Sequence, residues 1–416
     1  MIVVQRSQRK VPDLRFPEFN GEWVEKRLGE LSALITKGTT PNRFTIGSIN
    51  YVKIENLEGV RINKAKCLRI DEKVHRGELK RSILKKDDLL FAIAGATVGK
   101  VGVVTDEILP ANTNQALAIV RLKKKNNLAF VLQILQSKIM KRYIRLSINV
   151  GAQPNLNLEQ IGAFTFSSPT SDEQQKIAGF LSAVDRRIEG LEKKRDLLKE
   201  YKKGLMQKLF NQTLRFTDDE GKPFPDWEEK RLGDVFTRIT RRNKEICRKN
   251  LTISGPLGLV NQEEYFNKRI AAKDNSGYYL IKNGDFAYNR SYCNGYPFGA
   301  IKRLDRYAEG IVSTLYICFE LKYNAADSDF MAHYFESGKM GHEIYRIAQE
   351  GARNHGLLNV TTFDFFSIKI MISETIAEQK RITECLSALD RKIEQVQTQV
   401  ARTREFKQGL LQRMFV

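Results

Sequence analysis

The run Gly95-Ala96-Thr97-Val98-Gly99-Lys100 comes nearest to a reactive loop in this chain. Glycines ahead of a lysine can cradle phosphates, and a Ser or Thr after the lysine then holds magnesium. Here three residues rather than four separate the glycines, and Val101 stands where the hydroxyl belongs. The run reads as a turn beside a strand. No GxGxxG follows a strand, so no dinucleotide fold is signalled. No nucleophile elbow, HExxH or Asn-Pro-Pro-aromatic run occurs, which removes hydrolase, zinc-protease and amino-methyltransferase chemistry. The four histidines, His75, His333, His342 and His355, have no metal-ligand spacing. Five scattered cysteines without a CxxC read as idle thiols of a reducing cytosol. The sequence offers no catalytic set and no bound metal or cofactor.

What it offers is charge. The chain has 416 residues, with 69 Lys and Arg against 49 Asp and Glu, a net +20 and a pI near 9.6. Such a surplus asks for a polyanion, either nucleic acid or an anionic membrane. The membrane loses, because no apolar stretch approaches the roughly 18 residues a span needs. The apolar start Met1–Val4 meets Gln5 and Arg6 at once, so no signal-peptide core is read and the expected location is cytoplasmic. A hydrophobic content of 42% can build two or three domain cores.

The elements that would present this charge come in duplicate. Trp23-Val24-Glu25-Lys26-Arg27-Leu28-Gly29 returns 204 positions later as Trp227-Glu228-Glu229-Lys230-Arg231-Leu232-Gly233, and these hold both tryptophans of the chain. The lead-ins Leu14-Arg15-Phe16 and Leu214-Arg215-Phe216 also match. Glu173-Gln174, Leu181-Ser182-Ala183-Val184-Asp185-Arg186 and Gly204-Leu205-Met206-Gln207 each reappear at a shift of 205. A period this long is a duplicated module rather than a solenoid.

Each module closes on a helix. Ile177, Leu181, Val184, Ile188, Leu191, Leu198, Leu205 and Leu209 follow alternating steps of four and three, interrupted by Arg195 and Lys202. Ile382, Leu386, Leu389, Ile393, Val396, Val400, Leu410 and Met414 repeat the register, interrupted by Thr403 and Lys407. An apolar period of 3.5 predicts a coiled-coil seam, with Ser171 and Ser373 as caps. The expected organisation is a first globular part over 1–170, a helix over 171–212, a second globular part over 213–372 and a helix over 373–416. The globular parts read as mixed α/β, with strands near Asn50–Ile54, Ala116–Val120 and Thr314–Cys318 and helices over Ala129–Ile144 and Phe330–Ile347. The class is therefore α+β. The helices most simply pair antiparallel within the chain, giving a dumbbell with an approximate twofold and a spacer of roughly 57 Å. The two helical stretches carry +5 of the net charge and leave +15 elsewhere.

On these residues the chain resembles the DNA-specificity subunit of type I restriction-modification enzymes. The resemblance spans nearly the whole length. It rests on the Leu-Arg-Phe and Trp…Glu-Lys-Arg-Leu-Gly lead-ins, the run Gly151-Ala152-Gln153-Pro154-Asn155-Leu156-Asn157, and the Glu-Gln…Leu-Ser-Ala…Asp-Arg helix openings. The second copy departs at 351–359, GARNHGLLN, which is two residues longer and lacks the proline. The resemblance implies two target recognition domains, each reading half of a bipartite site on double-stranded DNA. It implies two docked methylation subunits that bring S-adenosylmethionine for adenine methylation. Two restriction subunits, with ATP and Mg2+, complete the version that cleaves unmodified DNA. This chain itself would be non-catalytic. A stand-alone DNA-binding regulator built from the same domains stays open, as does a coiled-coil adaptor with no nucleic-acid role.

Phosphate contacts need Lys and Arg, and base contacts favour Arg, Asn and Gln. In the first domain the candidates are a flexible basic turn with Lys37, Thr39, Thr40 and Arg43, then Lys53 and Asn56, then Thr97 and Lys100, and the amides Asn112, Asn114, Gln115 and Gln153. In the second they are Arg241, Arg242 and Lys244, then Asn289, Arg290, Tyr292 and Tyr296, and Arg353, Asn354 and His355 in the place of Gln153. Arg290, Arg353 and Gln153 lead, because their counterparts in the other copy read as polar loop positions.

Overall fold

The computed structural model describes residues 11–44, 46–148, 154–244, 247–268, 275–292, 295–348 and 358–416. It divides into two compact units, Met1–Glu192 with Gln397–Val416, and Lys193–Val396. The two long helices are Ser171–Phe210 and Ile376–Arg413. Each unit takes in one half of each helix, where the sequence reading drew its borders at the helix ends. Among the described residues no helix is long and apolar enough to cross a membrane.

In the first unit a four-stranded antiparallel sheet runs Ser32–Lys37, Leu117–Leu122, Leu89–Ala92, Val101–Val103. A three-stranded sheet, Leu68–Ile70, Ile49–Val52 and Ala111–Thr113, includes one parallel pair. In the second unit the four-stranded order recurs as Phe236–Arg238, Ile317–Leu321, Phe286–Asn289, Ala300–Arg303. It also holds the pairs Leu251–Ser254 with Gly258–Asn261 and Tyr279–Lys282 with Glu309–Val312. The frame is duplicated and the satellites differ. Val120 pairs with Leu89 as Phe319 pairs with Phe286, so Phe286 occupies the place of Leu89 in the shared frame.

Helices expected as single stretches are split. Leu128–Gln136 ends at Ser137, whose hydroxyl accepts the Ile139 N–H at 3.2 Å and starts Lys138–Ser147. Ser328–Glu336 and Lys339–Ile347 meet at Gly338, where φ is 84°. A left-handed residue ends a helix, and only glycine takes that conformation freely.

The repeated words explain themselves as one clasp made twice. Glu173 is 1% exposed and accepts two hydrogen bonds of 2.7 Å from the Arg15 guanidinium. The Trp23 indole N–H adds a third at 3.3 Å. Glu378, with no exposed surface, accepts two bonds of 3.1 Å from Arg215 and one of 3.0 Å from the Trp227 indole. The hydrogen bond to Glu173 holds the Arg15 guanidinium above its ordinary pKa. Ser373 also donates to Glu378 at 2.6 Å. That occupies the hydroxyl expected to cap the second long helix, which starts three residues later at Ile376.

Beside the clasp, the repeated strand pairs with the strand that feeds the helix. Val24–Arg27 lies antiparallel to Thr165–Ser168, and Glu228–Arg231 to Lys369–Ile372. Gly29 then packs so closely on Gly162 that a Cβ would stand 3.0 Å from its carbonyl oxygen. The far end of the opposite helix completes each core. Phe415 stacks edge-on with Trp23 and Phe130 in the first unit, and Phe210 with Trp227 in the second, at 5.7 to 6.5 Å. Such aromatic pairs add about 1 kcal/mol each beyond burial. In each unit the opening half of one long helix thus lies beside the closing half of the other, so the pairing is antiparallel.

Of the seam interruptions, the two lysines pair across the helices. Lys407 reaches Asp185 at 2.7 Å, and Lys202 reaches Asp390 at 2.6 Å. Removing one partner of a buried, multiply bonded carboxylate site costs about 3 to 5 kcal/mol. Glu173→Ala should therefore cost the first unit about 3 kcal/mol or more. Urea unfolding followed by tryptophan fluorescence measures this, and an unchanged midpoint would remove the clasp from the fold's supports.

Candidate nucleic-acid interface

The antiparallel registers bring four strand ends to one rim of each four-stranded sheet. In the first unit Lys37 pairs with Ala118, Ala92 with Leu117 and Phe91 with Val101. The ends of Ser32–Lys37 and Leu89–Ala92 therefore meet the starts of Leu117–Leu122 and Val101–Val103. This rim gathers Lys37, Thr39, Thr40, Thr97, Lys100, Asn114 and Gln115. Lys37, Thr40, Lys100 and Gln115 are exposed. Gly95 and Gly99 turn the chain here at φ 76° and 92°, so the phosphate-loop look-alike is a strand connection. The Gly95 N–H donates to the Pro154 carbonyl at 2.9 Å, which docks the 154–156 segment on the same rim. Gln153 lies outside the described residues. Arg43 is exposed in the segment after Thr40, and Lys53 is half-buried, 3.4 Å from Glu55.

Two amides of the first domain are corrected. Asn56 is 1% exposed, accepts the Lys53 N–H at 2.6 Å and donates to the Lys66 carbonyl at 2.9 Å. Asn112 is fully buried, donates to the Leu79 carbonyl at 2.9 Å and meets His75 Nδ1 at 2.5 Å. Both hold loops together and have no edge left for a base.

The second rim is built in the same way, with Arg238 opposite Phe319 and Tyr288 between Ile317 and Ile301. Asn289 stands at its edge, its side-chain oxygen accepting the Ser291 N–H at 3.1 Å, and Tyr292 is 68% exposed nearby. Arg290 is corrected. Its Nε donates to the Leu315 carbonyl at 3.0 Å and its Nη1 to the Val360 carbonyl at 3.2 Å, so it clamps three segments together. Its counterpart across the repeat is Ile93, an apolar core residue. Tyr296 is corrected as well. Its hydroxyl donates to Glu336 at 2.5 Å and accepts from Lys302 at 2.8 Å, while the Lys302 ammonium lies 4.4 Å from its ring centre. Arg242 is exposed and stacks on Tyr279 at 4.5 Å, and Lys244 is exposed. Arg353, Asn354 and His355 lie outside the described residues.

Arg241 is the third correction in this domain, and it exposes a device common to both. Asp88, fully buried, accepts two bonds of 2.7 Å from Arg121 and the Lys85 N–H at 2.7 Å. Asp285 occupies the same place, accepts the Lys282 N–H at 2.7 Å and pairs with Arg241, which also reaches Glu320 at 3.2 Å. Burial pushes the Asp285 carboxyl above the usual carboxylate range despite the guanidinium. Arg241 is thus neutralised inside its own domain. The sequence reading also passed over Arg81, whose Nη2 donates to Thr39 Oγ1 at 3.3 Å from 42 residues away. No local pattern marks a contact of that range.

Cys67, Cys247, Cys318 and Cys385 are unpaired, and burial pushes the Cys318 thiol up to about 12. Among the described residues no group of three His, Cys, Asp or Glu could hold a metal.

Comparison with known proteins agrees with the duplicated plan. The family description "Type I restriction modification DNA specificity domain" matches twice, over residues 20–200 and 225–401. Two curated relatives come from Methanocaldococcus jannaschii. The chain is 25% identical to the type I restriction enzyme MjaVIII specificity subunit over 94% of its own length and 90% of that protein. It is 26% identical to the MjaIX specificity subunit, over half of each chain. Among solved structures, the S subunit of a type I restriction-modification system from M. genitalium has the same fold. The TM-score is 0.53 at 15% identity, covering 98% of this chain and 99% of that one. A structure of a type I complex gives a TM-score of 0.54 at 15% identity, over 94% of this chain and 96% of that one.

The geometry separates structural cations from available ones. Arg121→Met strands the Asp88 carboxylate and should lower the first unit's stability by about 3 kcal/mol. Lys100→Ala should stay within about 0.5 kcal/mol of the parent. Equal losses in urea unfolding would contradict the division.

Proposed function

The chain belongs to the type I restriction-modification DNA specificity family, and we propose that it is the subunit that tells such a complex where to act. Each globular domain reads one half of a bipartite site on double-stranded DNA. The paired helices scaffold two methylation subunits, and restriction subunits join the same scaffold where cleavage occurs. The chain contributes no catalytic group. S-adenosylmethionine, ATP and Mg2+ enter with the partner subunits.

The observation that carries this reading is the twofold recurrence of one frame with unlike loops at its rim. Cations at the rims supply sequence-independent attraction to phosphates. Loop side chains that differ between the copies supply the base preference, and unlike loops suit unlike half-sites. Lys37, Thr39, Thr40, Arg43, Thr97, Lys100, Asn114 and Gln115 are the contacts we assign in the first domain. Arg242, Lys244, Asn289 and Tyr292 are those of the second.

Methylome sequencing of a cell that expresses this chain with its methylation subunit tests the proposal. The expected result is a single gapped motif with methylated adenine in both halves. Exchanging residues 213–372 for those of a relative should change one half and leave the other intact. An ungapped motif, or a change in both halves, would overturn it. Tight binding of a gapped site by the isolated chain, with no methylation in the complex, would favour the regulator reading.

A further inference from the structure

The segment leaving the strand Ser32–Lys37 is held at both ends by glycine. A Cβ on Gly38 would stand 2.0 Å from the Asn114 carbonyl oxygen and 2.3 Å from that of Thr113. A Cβ on Gly47 would stand 2.0 Å from the Ile70 carbonyl oxygen. Neither position admits a side chain, so backbone lies directly on backbone. Hydrogen bonds reinforce the first anchor, from the Gly38 N–H to Leu117 at 3.0 Å and from the Thr39 N–H to Thr113 at 2.9 Å. The Asn42 N–H donates to the Glu78 carboxylate at 2.8 Å. The turn expected to be flexible is pinned.

Between these anchors Pro41 is buried, whereas Phe44 and Ile46 face outward. Ile46 is 102% exposed and Phe44 50%. The Phe44 ring meets Tyr51 edge-on at 5.4 Å, and the Lys53 ammonium lies 5.8 Å from its centre. The surroundings are cationic. Lys37, Arg43 and Arg81 form no ion pair among the described residues, and Arg69 donates to the Ser48 carbonyl at 3.0 Å. The nearby acids are engaged, Glu78 by Asn42 and Glu55 by Lys53 at 3.4 Å.

We propose that this segment is a wedge, with Ile46 and Phe44 entering a groove of the first half-site and packing against unstacked bases. Lys37, Arg43 and Arg81 hold the phosphates on either side. The proposal rests on the DNA reading above. An apolar tip inside a rim of unpaired cations matches nucleic acid, which presents apolar base faces behind phosphates. A protein's apolar patch would leave those cations unanswered. The pinned anchors suit a wedge, because little conformational freedom remains to be lost on insertion. In the second domain the chain after Phe236–Arg238 is engaged differently, with Arg241 tied to Asp285.

The test uses this chain in complex with its methylation subunit, on duplexes carrying the gapped motif with 2-aminopurine placed stepwise through each half. Besides the two methylatable adenines, which a methyltransferase takes out of the stack in either half, fluorescence should rise at one further step, in the half-site assigned to the first domain. Ile46→Ser should abolish that rise and weaken binding about tenfold, at an unchanged salt slope. Arg43→Ala should instead reduce the salt slope by about one. Ile46→Ser complexes with undiminished affinity and fluorescence would sink the wedge alone. So would a variant that loses its methylation subunit while still binding DNA, which would make the tip a protein contact. A parent complex that binds no gapped site would sink the DNA reading and the wedge with it.

Discussion

A buried carboxylate in the first turn of each long helix is the constraint on which both units depend. An ionised side chain taken out of water costs several kcal/mol unless its oxygens are met by donors. Glu173 is met by Arg15 and Trp23, and Glu378 by Arg215, Trp227 and Ser373. The arginine and tryptophan arrive from 150 to 163 residues away, so the clasp closes only around a finished domain. That accounts for what repeats and what does not. Residues that fix the entry and exit of the domain are tied to one geometry. Residues between them are free to differ, provided that the two ends still meet.

The helical seam applies the same logic with weaker pairs. Lysine in an apolar seam reduces stability and gains register, because a slip leaves the ammonium without its carboxylate. Lys407 with Asp185 and Lys202 with Asp390 make that layer in both units. Their surroundings diverge. Gln133 donates to Asp185 at 2.9 Å, whereas His333 occupies the matching place and faces Ser387 at 3.2 Å. Burial holds the His333 imidazole below its ordinary pKa, with Lys202 adding to the effect. One register device is thus kept in two chemical settings.

The duplicated frame, the long helices and their antiparallel pairing are legible in the sequence because they are written in repeated words and a 3.5-residue period. What fails is whatever depends on a distant partner. Ser373 reads as a cap until Glu378 claims its hydroxyl. Arg241 reads as a phosphate contact until Asp285 and Glu320, 44 and 79 residues on, neutralise it. Arg290 reads as a base contact until the carbonyls of Leu315 and Val360 occupy its N–H groups. Asn56 and Asn112 carry the right amides but turn them into the fold. Residue type states what a side chain can bind, and only the fold states what it already binds.

The same distinction governs the meaning of the positive charge. A surplus of +15 outside the helices fixes the sign of the partner, yet it counts Arg121, Arg241, Lys302 and Arg303, all committed to carboxylates within their domains. The cations left after such pairs are subtracted include exposed ones at the sheet rims and on the loops that spring from them, Lys37, Arg43 and Lys100 in one unit and Arg242 and Lys244 in the other. A rim held by a four-stranded sheet changes little when its loops change. Attraction to a polyanion can therefore stay constant while the loop side chains alter what is read. The clasp, which lies in neither the rim nor the loops, makes that independence possible, because it fixes the frame without reference to the rim residues.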